Sequence, residues 1–86
     1  MGYRVVIGDD ESIIRMDLAE MLEDAGHEVV GEAADGVEAL ELVRKMRPDI
    51  VLLDIKMPRL DGIRAILKIR EESNMPIIVL SAKTAD

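Results

Sequence analysis

Eighty-six residues are enough for one small domain, which buries only about 60–65% of its unfolded surface. The absence of cysteine excludes a disulfide framework and thiolate metal sites, and it fits a reducing compartment. A net charge of −7 argues against nucleic acid binding by this chain, and no apolar run approaches a membrane span, so a cytoplasmic protein is expected.

The first strand is predicted over residues 3–8, where Tyr3-Arg4-Val5-Val6-Ile7-Gly8 is closed by Asp9-Asp10-Glu11. A helix over 12–25 follows, with Ile14, Leu18, Met21, Leu22 and Ala25 on one face and Gly26 as its stop. His27, in the next turn, is read as exposed and uninvolved. A second strand is expected over 28–33. Asp35 then caps a helix, with Glu38 three residues on, and Pro48 ends it. The third strand, Ile50-Val51-Leu52-Leu53, ends abruptly in Asp54. Four aliphatics without polar alternation describe a parallel strand covered on both faces. A third helix over 61–72 is expected to bury Ile63, Ile66, Leu67 and Ile69. The turn Asn74-Met75-Pro76 leads into a fourth strand, Ile77-Ile78-Val79-Leu80, which ends at Ser81. Methionines at core periodicities are read as packing. The alternation β-α-β-α-β-α-β implies right-handed βαβ units and a parallel sheet in a single α/β domain over residues 1–86.

Strands of a parallel sheet point one way, so Asp9 and Asp10, Asp54 and Ser81 share its carboxyl edge, where open α/β sheets place their chemistry. Each has an ordinary reading: an acidic cluster at a helix start for Asp9 and Asp10, a turn cap for Asp54, a loop serine for Ser81. Their coincidence at one edge favours a site. Carboxylates held together repel unless one is protonated or a cation binds. An oxygen-only donor set without His or Cys favours a hard ion, Mg2+, and a hydroxyl with free backbone N–H groups beside it suits a phosphoryl group.

Four stretches in this order, VVIGDDE at 5–11, GEAADGVEAL at 31–40, PDIVLLDIKMPRLDG at 48–62 and PIIVLSA at 76–82, resemble the receiver domain of two-component response regulators. The likeness covers essentially the whole chain. It implies a CheY-like, flavodoxin-like doubly wound parallel sheet of strand order 2-1-3-4, and phosphoryl transfer from a histidine kinase onto Asp54. By the same resemblance Asp10 ligates Mg2+ directly, Asp9 does so through water, and Asp54 and the Lys56 backbone carbonyl complete the protein ligands. Ser81 is the implied switch hydroxyl, and the Lys56 and Ala82 backbone N–H groups contact the phosphoryl oxygens. Such a domain is not an enzyme beyond catalysing its own phosphotransfer and dephosphorylation. Within the family, DDESIIRMDLAEML and DIKMP most resemble receivers of antiterminator regulators, whose ANTAR output domain binds RNA; no such domain is in this sequence.

The family's receiver has five strands, and this sequence carries four. The implied fifth strand and last helices are missing, and with them the lysine that pairs with the phosphoryl group; Lys83 follows the fourth strand and is not that residue. Residues 77–80 are therefore expected to form an apolar edge that drives homo-oligomer formation, through strand pairing or exchanged elements. The competing reading is an inert or engineered receiver fragment that associates through that edge. A dehalogenase-type phosphatase wants an acid two residues after its nucleophile, where this chain has Lys56. Half of a (β/α)8 barrel shares the β-α alternation but does not call for paired Asp9 and Asp10.

Overall fold

Four short segments rich in β-branched and leucine side chains form one parallel sheet in the computed structural model, which describes residues 2–54 and 62–80. In chain order these are β1 (Arg4–Gly8), α1 (Ser12–Asp24), β2 (Glu28–Ala33), α2 (Gly36–Met46), β3 (Ile50–Asp54), α3 (Gly62–Glu72) and β4 (Ile77–Leu80). The strands run in the order β2-β1-β3-β4, all parallel, which is the expected arrangement. β3 is hydrogen-bonded on both sides, to β1 with Leu53 opposite Gly8 and to β4 with Asp54 opposite Leu80. A register shift between Val5 and Val6 leaves Val30 as the extra residue of β2, a bulge on the sheet edge. The next residue, Gly31, lies where a Cβ would come within 3.0 Å of the Leu42 methyls, so its lack of a side chain lets α2 pack close over the edge strand.

The aliphatic run of β3 divides between two cores, as the pleat requires. Val51 and Leu53 join Ala33, Ala39, Leu40, Val43, Ala65 and Ile69 beneath α2 and α3. Leu52 joins Val5 and Ile7 on the opposite face, against Leu18, Ala19 and Leu22 of α1. Asp35 caps α2 as expected: its Oδ1 accepts the Glu38 N–H at 2.9 Å, while Glu38 Oε1 accepts the Ala34 N–H at 2.8 Å. Such a cap is worth roughly 1 kcal/mol. At the other end Arg47, at φ 48°, turns the chain out of the helix before Pro48. Arg44 of α2 reaches Glu72 of α3, its Nε 3.0 Å from both carboxylate oxygens, and this hydrogen bond holds the Glu72 carboxyl below its usual range.

Three expectations are corrected. On α3, Ile63 and Leu67 are exposed, and Gly62, Ala65 and Ile69 face the core with Ile66 half-buried. Packing selects the small Ala65 because α3 lies close against α2. On α1, Ile14, Met16 and Met21 are exposed and no residue is fully buried, so these methionines are not core packing; Leu18 and Leu22 alone carry the expected face inward, joined by Ala19. His27 is not uninvolved. Its ring stacks on Tyr3 at 5.5 Å between centroids, and its Nδ1 accepts the Tyr3 N–H at 3.1 Å, which ties the start of the chain to the α1–β2 turn. The fourth strand exposes Ile78 and Val79, at 49% and 45%.

Candidate functional site

β1 and β3 end side by side, because Gly8 pairs with Leu53, and the next residue of each strand is an aspartate. One carboxylate oxygen from each of Asp9, Asp10 and Asp54 lies within 4.8 Å of the other two. The environments differ: Asp9 is buried, Asp54 is half-buried at the strand end and Asp10 reaches solvent. The structure thus brings together three of the residues singled out in the sequence. Ser81, Lys56 and Ala82 lie outside the described residues, as do Lys83 and the predicted first residue of α3, Asp61. Ser81 directly follows Leu80, the register partner of Asp54.

Asp9 is the most constrained of the three. Its N–H donates to the Ala33 carbonyl at the end of β2 at 3.0 Å, and its Oδ1 accepts the Glu11 N–H at 2.9 Å. Its carbonyl accepts from Arg15 Nη1 at 2.7 Å, and Arg15 Nε donates to Glu32 Oε1 at 3.2 Å. Arg15 lies off the apolar stripe of α1, and the helical pattern alone gives it no role. The available signal was its position: one turn into the helix, an arginine can reach back to the loop that the helix leaves.

Three negative charges this close, one of them buried, are costly without a counter-charge. All donors are carboxylate oxygens, which fits a hard divalent cation. Asp10→Asn should accordingly stabilise the protein in cation-free buffer, by about 1 kcal/mol if the repulsion is screened nearly as in water, while weakening Mg2+ binding. Urea titrations with and without Mg2+ check this; an Asp10→Asn variant less stable than the parent without cation would refute it.

A model of the response regulator receiver domain matches residues 5–86. The transcriptional regulatory protein PdtaR of Mycobacterium tuberculosis is 56% identical over 79 residues, covering 92% of this chain and 38% of that protein. The chemotaxis protein CheY of Thermotoga maritima is 48% identical over 83 residues, covering 95% of this chain and 69% of that protein. Among solved structures, the response regulator domain of Thermotoga maritima CheB superposes with a TM-score of 0.92 at 34% identity, over all of this chain and 65% of that one. The CheX–CheY–BeF3–Mg2+ complex of Borrelia burgdorferi gives a TM-score of 0.90 at 33% identity, over 98% of this chain and 65% of that one. The chain therefore spans little more than a third of PdtaR and about two thirds of the chemotaxis relatives.

Proposed function

Since the chain belongs to the response regulator receiver domain family, we propose that it accepts a phosphoryl group from a histidine kinase onto Asp54, with Mg2+ held by Asp9, Asp10, Asp54 and the Lys56 carbonyl. The observation that supports this most directly is the convergence of the three carboxylates within 4.8 Å at the carboxyl edge of the sheet. A CheY solved with BeF3 and Mg2+ at 33% identity supports the same ligand class.

In the transfer, an Asp54 carboxylate oxygen attacks the phosphorus of the donor phosphohistidine. A P–O bond forms, the P–N bond breaks, and the nitrogen electron pair leaves with the donor imidazole. Asp54 would act from the end of β3, which the paired β1 and β4 hold on both sides. Mg2+, when bound, offsets the charge of the incoming phosphoryl oxygens and of the carboxylates, letting two anions approach. Asp9, locked by its bonds to Ala33, Glu11 and Arg15, offers a ligand whose position does not have to be found at binding. Ser81, one residue past the partner of Asp54, serves as switch hydroxyl, and the Lys56 and Ala82 N–H groups bind phosphoryl oxygens.

The experiment is intact-mass measurement after incubation with acetyl phosphate. One phosphoryl adduct, dependent on Mg2+, is expected; no adduct in Mg2+ overturns the reading. The likeness to a transcriptional regulator at 56% identity favours gene control as the output. The exposed Ile78 and Val79 support a homo-oligomer of the 86-residue chain through β4. Light scattering should then give a mass above the monomer's, and a monodisperse monomer at high concentration excludes it.

A further inference from the structure

Resting on the assignment of Asp9, Asp10 and Asp54 to the cation, we infer that Arg15 and Glu32 form a latch that positions this site. α1 begins without the usual fastening: Glu11 at its N-cap makes no side-chain capping bond, and the first turn holds no acidic residue. Beside the Asp9 Oδ1 bond to the Glu11 N–H, Arg15 supplies a second tie from the helix back to the loop. Its Nη1 donates to the Asp9 carbonyl at 2.7 Å and its Nε to Glu32 Oε1 at 3.2 Å. The Asp9 N–H donates to Ala33, the residue after Glu32, so the contacts close a ring from Asp9 through Arg15 and Glu32 back to Asp9. In a helix with no fully buried residue, the Arg15 side chain is only 18% exposed, which is unusual for a charge without a task.

Electrostatics alone points the other way. A guanidinium beside the loop repels a bound cation, so by charge its removal would tighten Mg2+ binding. Glu32 offsets much of that repulsion and leaves the geometric effect dominant. The fork also matters: Nε and Nη1 are fixed in one plane and serve two acceptors at once, which a single ammonium does not reproduce. Arg15→Lys therefore keeps the charge and removes the geometry.

The test is Mg2+ titration of the protein and of its Arg15→Lys and Glu32→Gln variants, followed by the backbone amide NMR shifts of Asp10 and Glu11, with thermal midpoints as a control for folding. Roughly tenfold weaker binding is expected for Arg15→Lys, the low end of the effect of residues that orient metal ligands. Glu32→Gln should weaken binding by a smaller factor in the same direction, with midpoints in cation-free buffer little changed. Unchanged or tighter binding in Arg15→Lys overturns the latch. Should Arg15→Lys fail to fold, Arg15→Met decides: loss of the charge alone would tighten binding, so weaker binding supports the latch and unchanged or tighter binding overturns it. A parent protein whose amides do not respond to Mg2+ overturns the cation site itself, and the latch with it, and that result is distinct from a parent that binds while the variants bind equally well.

Discussion

Asp54→Asn should abolish phosphoryl incorporation from acetyl phosphate while leaving the fold intact. The amide has almost the size and shape of the carboxylate, and the position is half-buried at the last residue of β3, so packing changes little. What changes is the nucleophile: a neutral amide oxygen does not displace a leaving group from phosphorus at any useful rate. The expected effect is therefore all or none. Neutralising one of three carboxylates within 4.8 Å also relieves repulsion, so the variant is expected to remain folded without Mg2+. Intact mass reads the first effect and a urea midpoint the second. An adduct that persists in Asp54→Asn would place the acceptor elsewhere.

Leu53→Ala, one residue away, should remove a large part of the protein's stability. Leu53 is fully buried in the core under α2 and α3, packed with Val43, Ala65 and Ile69. Truncating such a leucine costs about 3–5 kcal/mol, since the lost transfer energy adds to an unfilled cavity. A domain of this length has only about 4–13 kcal/mol in total at the usual stability per residue. The neighbouring Leu52 is the internal comparison. It points to the other face, where it and the buried Val5 and Ile7 meet half-buried side chains from α1. That thinner cover leaves less of a cavity and more room to relax, so Leu52→Ala should cost nearer 2 kcal/mol. Urea denaturation of both variants checks the order; a Leu52→Ala cost equal to or above that of Leu53→Ala contradicts the two-core description.

The two variants also separate the layers of causation at the site. Leu53 holds β3 in place, and the proposed chemistry at Asp54 depends on β3 being held. Loss of phosphoryl incorporation in Leu53→Ala would accompany loss of structure, whereas in Asp54→Asn it would not.

The helices show where sequence patterns stop being decisive. α3 has apolar or small residues at 62, 63, 65, 66, 67 and 69, which supply more than one inward face. Periodicity favoured the larger Ile63 and Leu67, yet the helix turns Gly62, Ala65 and Ile69 to the sheet. Close approach to α2 is available only where the side chain is small, and that steric condition belongs to the pair of helices, not to either alone. α1 is a weaker case of the same kind, with Ile14 and Met21 on the apolar stripe but outside the contact. His27 and Arg15 work across a distance in sequence, to Tyr3 and to Glu32 respectively, that no local pattern encodes.

By itself the sequence determined the element order, the parallel sheet with its buried β3, and the aspartates at the strand ends. These follow from local rules: a nonalternating aliphatic run must be covered on both faces, and parallel strands deliver their carboxyl ends to one edge. Only the tertiary structure decided that Gly8 stands opposite Leu53, bringing three carboxylates within 4.8 Å, and that Arg15 spans from Asp9 to Glu32. Register and side-chain reach depend on how separate segments pack in three dimensions, and the carboxylate cluster of this receiver domain is built from those two quantities.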